Sequence, residues 1–185
     1  MLYFSLVELH DIDIFKRLLY NTIVEFHEKR VKMTVTFFGH RQIQGAEDLK
    51  GELKRSIEDL IGKGEENITF LCGGYGAFDG LCASLLRELK KKHLHLEIVF
   101  VTPYISEAQQ KKLQFLLESR EYDSIVYPPL EKVPPRLAIL KRNEWMVESA
   151  DVIIAYVNCN YGGAYKAVSY AMRKKKRVIN LAQSI

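Results

Sequence analysis

The sequence predicts an α/β domain of Rossmann-like, doubly wound type: a mainly parallel sheet with helices on both faces. Three observations lead there. Short, almost wholly apolar runs alternate with stretches of helical periodicity, the pattern of a sheet buried on both sides. Glycine-rich or proline-containing turns separate the runs. The chain of 185 residues is 48% hydrophobic and 27% charged, which suits one domain with a full core.

The first 32 residues precede this alternation. From Ile12 to Phe26 apolar residues recur at helical intervals after the capping residue Asp11, which predicts an amphipathic docking helix. Met33 opens the first strand directly, so two readings stand side by side: residues 1–32 are an N-terminal extension, or Met33 is the natural start of a domain spanning 33–185.

From Met33 to Phe38 the run reads as a strand ending at Gly39. Leu49, Leu53, Ile57, Leu60 and Ile61 then place one apolar face on a helix over 47–61. Ile68 to Leu71 is a second strand, entering Cys72-Gly73-Gly74-Tyr75-Gly76, after which Phe78, Leu81, Leu85 and Leu89 mark a helix. Leu96 to Val101 is a third strand, closed by Pro103, and a helix over 106–117 follows with Ser106 as its N-cap. Ser124 to Tyr127 forms a fourth strand before Pro128 and Pro129. Pro134 and Pro135 exclude a helix interior, so the next helix runs from Leu137 to Glu148. A buried strand from Val152 to Val157, a Gly162-Gly163 turn, a helix from Ala164 to Arg173 and a strand from Val178 to Leu181 complete the alternation.

The net charge of +4 comes largely from Lys90–Lys92 and the run Arg173–Arg177. Both runs fall where helices end and cations suit the helix dipole, so solvated helix ends are the first reading and a nucleic-acid patch the second. Three cysteines without a CxxC pair or a histidine cluster argue against a disulfide framework and a zinc site. No signal peptide and no apolar run of about 18 residues is visible, so a cytoplasmic protein away from membranes is expected.

In a parallel sheet of this type the ligand crevice lies beyond the carboxyl ends of the strands. Function is therefore sought in three loops. In the first, Gly39-His40-Arg41, Arg41 offers a bidentate fork to a phosphate and His40 a proton carrier; the plain alternative is a backbone cap and a surface charge. In the second, Gly73, Gly74 and Gly76 around Tyr75 let backbone N–H groups face an anion at a helix start. The loop lacks the Lys-Ser/Thr of a Walker A motif and does not complete GxGxxG. Asp79, in the first helical turn, is either a ribose ligand or base, or a carboxylate that complements the dipole. The third site gathers Arg136, Arg142 and Asn143 with Asn158, Gly162 and Gly163, where a second helix N-terminus offers a cradle for another anionic group. Trp145 is read first as core.

Taken in order, the strand with Gly39-His40-Arg41, the Gly73–Gly76 loop, Arg142-Asn143 and Gly162-Gly163-Ala164 resemble the SLOG (Smf/DprA and LOG) superfamily, most of all its YpsA-like group of bacterial and phage proteins. The resemblance covers about residues 33–182. It implies a nucleotide site and a protein that forms homo-oligomers. LOG enzymes, which cleave the N-glycosidic bond of nucleoside monophosphates, carry PGGxGTxxE; this chain has Cys72 for the proline, Ala77 for the threonine and Gly80 for the glutamate, with Asp79 one position early. One position on a helix turns a side chain by about 100°.

The expected function is thus binding of a nucleotide or nucleotide-derived ligand, as a sensor or sequestering module. The alternatives are a LOG-type nucleotide hydrolase using Asp79 and His40 as acid–base groups, and a DprA-like binder of single-stranded nucleic acid. No cofactor or metal is predicted, beyond Mg²⁺ accompanying a phosphate.

Overall fold

The computed structural model describes residues 33–43, 45–62 and 67–182; the readings for residues 1–32 lie outside them. Six strands, β1 (Met33–Gly39), β2 (Ile68–Cys72), β3 (Leu96–Val101), β4 (Ser124–Val126), β5 (Val152–Tyr156) and β6 (Arg177–Asn180), form one sheet among the described residues, in the order β4-β3-β2-β1-β5-β6. Every neighbouring pair is parallel. Between the strands lie α1 (Ala46–Ile61), α2 (Ala77–Lys90), α3 (Glu107–Glu118), α4 (Ala138–Ser149) and α5 (Gly162–Arg173). The fold is the doubly wound α/β architecture expected from the alternation.

Alternate side chains of the strands serve two cores, as period-two geometry requires. Val35 and Phe37 of β1, Phe70 of β2 and Ile98 of β3 pack with Leu53, Leu86 and Leu113, so α1, α2 and α3 cover one face. Phe38, Leu71, Val99 and Ile153 pack with Met146, Val147, Val168 and Ala171, so α4 and α5 cover the other. Trp145 is half-buried against this second core, in keeping with its reading as a packing residue.

Polar side chains fix the register at strand ends. Asp151 Oδ2 accepts the Thr34 N–H at 2.8 Å, and Asp123 Oδ2 accepts the Ile98 N–H at 2.7 Å, so an aspartate ahead of β5 and another ahead of β4 each extend a parallel ladder. Asn180 does the same beyond β5: its side chain accepts the Val157 N–H and donates to the Val157 carbonyl.

Several local expectations differ: β5 and β6 end at Tyr156 and Asn180, one residue before the expected Val157 and Leu181, and three further differences have a visible cause. β4 ends at Val126 rather than Tyr127, because its ladder partner Val101 is the last residue of β3. Ser106 takes the extended N-cap conformation of α3 but makes no side-chain cap; its backbone carbonyl receives the Gln109 and Gln110 N–H groups instead. Gly162 and Gly163 are not a turn ahead of a helix but its first two residues, after extended Tyr161.

From β1 to β4 the chain winds outward on one side, and it then returns to place β5 against the other side of β1. Between β1 and β5 the loops leave in opposite directions, which opens a crevice at their carboxyl ends.

Candidate functional site

A cavity of about 410 Å³ occupies that crevice. Gly39, His40 and Arg41 from the end of β1 form one wall, and Gly73, Tyr75 and Asp79 from the β2–α2 loop and first turn of α2 form the next. Arg142 and Asn143 of α4 close it from below, and Gly162 and Gly163 of α5 stand at its far side. Ten of the residues expected from sequence therefore share one cavity, although the first and last of the four pieces just named lie more than 120 positions apart. Gly74 and Gly76 shape the loop without lining the cavity, Asn158 lies behind His40, and Arg136 is exposed on the 3₁₀ turn Pro135–Leu137 before α4.

Arg142 is the keystone. It is 2% exposed, and its Nη1 donates to the carbonyls of Gly73 and Val101, both at 2.9 Å, so it ties the ends of β2 and β3 to α4. Its guanidinium also lies 5.2 Å from the centre of the Tyr75 ring. Its Nε has no hydrogen-bond partner despite its burial. Burial lowers its pKa, while the nearby Asp79 carboxylate raises it. A Cβ on Gly73 would stand 2.6 Å from Nη1, so this close approach needs glycine.

The β2–α2 loop is held from two sides. Gly76 adopts φ 101°, and a Cβ there would stand 2.9 Å from the Arg41 Cα; the adjoining Ala77 N–H donates to the Arg41 carbonyl at 3.0 Å. Asp79, the third residue of α2, reaches back and its Oδ2 accepts the Tyr75 N–H at 2.8 Å. Tyr75 precedes the N-cap Gly76, so this bond ties the loop to the first turn of α2, where a carboxylate also complements the helix dipole, the plain alternative weighed for Asp79; the same side chain faces the cavity. Burial pushes its pKa up to about 6, against the opposing pull of the Tyr75 N–H and Arg142. The Arg41 carbonyl takes the Ala77 N–H, so one donor of the α2 N-terminus is satisfied internally.

At the N-terminus of α5, Tyr161 provides no side-chain cap, and Gly162, Gly163 and Ala164 border the cavity. Gly76 provides none for α2 either, where the Arg41 carbonyl takes the Ala77 N–H.

His40 Nε2 accepts the Asn158 N–H at 3.1 Å, which in the neutral imidazole puts the proton on Nδ1. It binds an N–H rather than a carbonyl, so the structural role considered for it from sequence is reversed in polarity. Sequence reasoning did not single out Phe37, Phe38 and Ile139, which form an apolar floor, or Tyr161 at the mouth. Tyr161 is 73% exposed and Tyr75 38%, so two aromatic faces flank the opening. An aromatic directly before the Gly162-Gly163 pair was the available signal for Tyr161.

No family model matches the chain. It is 28% identical to the SPbeta prophage-derived protein YoqJ of Bacillus subtilis, an uncharacterised protein, over 68% of this chain and 81% of that one. It is 29% identical to the UPF0398 protein BH1768 of Halalkalibacterium halodurans, over 63% of this chain and 62% of that one. Among solved structures it is similar to DNA processing protein A of Streptococcus pneumoniae, with a TM-score of 0.55, 13% identity, and coverage of 83% of this chain and 51% of that one. The same protein from Helicobacter pylori, described for its single-stranded DNA binding mode, gives a TM-score of 0.57 at 17% identity, over 83% and 66%. TM1055 gives 0.50 at 16%, over 79% and 72%. These likenesses establish the fold. The chain spans about half the length of the pneumococcal protein.

Proposed function

We propose that the cavity binds a nucleotide or nucleotide-derived molecule and that the protein acts as a binding or sensing module for it. The observation that carries this reading is the convergence of the uncapped N-terminus of α5 with a guanidinium 2% exposed and unpartnered at Nε. A helix start without a side-chain cap and a buried cation together favour an anionic group. Arg41, exposed at the rim, adds a second fork. The cavity volume of about 410 Å³ falls in the range of small-molecule sites. Tyr75 and Tyr161 supply ring faces for a base, and Asp79 supplies an acceptor for a ribose hydroxyl or an amine. Among the described residues no group of three or more His, Cys, Asp or Glu could hold a metal ion, so in this reading Mg²⁺ arrives with the phosphate.

One observation favours a hydrolase as the second reading: a carboxyl group titrating at about 6 in the cavity, Asp79, is suited to general acid–base work. The fold likeness to a single-stranded DNA-binding protein supports a third, with a strand laid across the two tyrosines.

The experiment is incubation of the purified protein with nucleoside monophosphates, NAD, ADP-ribose, cyclic nucleotides and a short single-stranded oligonucleotide, followed by thermal unfolding and chromatography of the same samples. A ligand at a hundred times its Kd stabilises by about 2.7 kcal/mol. Stabilisation with the compound recovered intact supports the binding module. Release of free base or phosphate, abolished by Asp79→Asn, replaces it with the hydrolase. Binding of the oligonucleotide alone, weakening steeply with salt, replaces both.

A further inference from the structure

The two edges of the sheet are finished differently. At β4, Ile125 and Val126 point to opposite faces and both are buried. At β6, Val178 and Ile179 are only half-buried, and so is Leu181 just beyond it. The topology accounts for the contrast. The crossovers β1–β2, β2–β3 and β3–β4 all step away from β5 and carry α1, α2 and α3 onto one face, while α4 and α5 lie on the other. Among the described residues no connection therefore sets a helix of its own over β6 on the α1 side, to which Ile179 and Leu181 belong. An open groove of about 460 Å³ lies there, between Glu52, Arg55, Ser56 and Asp59 of α1 and Asn180, Leu181 and Ala182. A half-open apolar edge strand is a template for unwanted pairing, and folds ordinarily cover it with a helix or a loop.

We infer that residues 12–26 of this chain cover the β6 edge, as an amphipathic helix seated in the groove between α1 and β6. They lie outside the described residues, and the argument for them is one of pattern, length and reach. Ile12, Phe15, Leu19, Ile23 and Phe26 recur at intervals of three and four, an apolar stripe that a helix has to bury. A helix over residues 12–26 is about 22 Å long, close to the roughly 20 Å of extended chain from Arg177 to Ala182. Met33 opens β1 at the amino end of the sheet, which is where a helix antiparallel to the strands would finish. Residues 27–32 span at most about 20 Å, against about 10 Å for the two strand spacings from β1 to β6. Along the groove wall Glu52 and Asp59 outweigh Arg55, and Lys16 and Arg17 stand beside the apolar stripe. The docked helix also braces the cavity, because Asn180 of β6 holds both backbone groups of Val157, where the loop to α5 begins.

The test uses the whole chain without any nucleotide, and so stands or falls separately from the ligand reading. Hydrogen–deuterium exchange read by peptide mass spectrometry should show the amides of residues 15–26 exchanging at least about ten-fold more slowly than in a synthetic peptide of residues 8–30. Leu181→Asp, which puts a charge on the groove floor, should return them to the peptide rate. The double variant Phe15→Asp, Leu19→Asp leaves the six-stranded sheet untouched, and so serves even where Leu181→Asp fails to fold. It should speed exchange several-fold at residues 177–182 and leave residues 68–72 of β2 unchanged. Exchange of residues 15–26 at the peptide rate in the wild type overturns the proposal, as does an unchanged β6 in the double variant. Protection that survives Leu181→Asp seats the segment elsewhere, and protection that disappears on dilution assigns the groove to a neighbouring copy; either result overturns it too.

Discussion

Asp79→Asn is the substitution on which the reasoning about the cavity is most exposed. The asparagine side chain keeps the shape and retains an oxygen to accept the Tyr75 N–H now held by Oδ2 at 2.8 Å. Only the charge goes. In the folded protein the carboxyl titrates at about 6, against 3.8 for the free group. Below about pH 4 it is protonated in folded and unfolded chains alike and contributes no pH dependence. Between pH 4 and 6 the folded state holds more protons than the unfolded one, so stability falls as pH rises through this window and stays at the lower level above it. Each pKa unit corresponds to about 1.4 kcal/mol, so the full cost approaches 3 kcal/mol; the partial exposure of Asp79 discounts this to about 1–2 kcal/mol. Asp79→Asn should therefore be more stable than wild type by about 1–2 kcal/mol at pH 7.5 and indistinguishable from it near pH 4. Urea unfolding of both proteins across this pH range measures the difference. A variant less stable than wild type at pH 7.5 would show that ionised Asp79 serves the fold through its bond to Tyr75, and would remove the argument that its charge is retained for the cavity. A carboxylate kept at a cost to stability is what a functional group looks like.

Arg142→Lys should lose about 2–3 kcal/mol in chemical denaturation, because a single ammonium group cannot reproduce the geometry in which Nη1 bonds both the Gly73 and Val101 carbonyls, and two acceptors lose a charged donor. Wild-type stability in this variant would show that the guanidinium is not what ties β2 and β3 to α4. Gly73→Ala should destabilise by about 1–3 kcal/mol, since the new methyl displaces Arg142 from 2.6 Å, and should abolish ligand-induced stabilisation as well. Thermal melts with and without the best nucleotide of the panel separate the two effects, and an unchanged ligand shift would place the anion elsewhere.

The architecture was legible in the sequence because its cause is local. Apolar strands such as Ile68–Cys72 and Val152–Tyr156 have no polar side to leave in water, and helical periodicity between them forces crossovers onto the faces of a parallel sheet. That rule of assembly also located the functional end, since the loops beyond the strand carboxyl ends part and leave a crevice where the winding reverses. Glycines at 73 and 76 marked a loop with special backbone demands, although their reasons, Arg142 at one and Arg41 at the other, lie on different elements.

Tertiary structure decided what each side chain does in that place. Arg142 reads in sequence as a ligand for phosphate; the fold buries it and engages Nη1 with two carbonyls, leaving Nε as its unpartnered donor. Asp79 reads as either a dipole partner or a base, and the fold bonds it to the Tyr75 N–H while burial raises its pKa to about 6. The two glycine-marked helix starts look alike in sequence, but the fold sets the Arg41 carbonyl against the Ala77 N–H of one and borders the cavity with Gly162 and Gly163 of the other. His40 and Cys159, 119 positions apart, meet only because β5 returns to lie beside β1. Periodicity and turn chemistry are properties of a few consecutive residues and survive in the linear chain. Hydrogen-bond partners, burial and the protonation that follows from them depend on segments brought together across the sheet, and they exist only once it has formed.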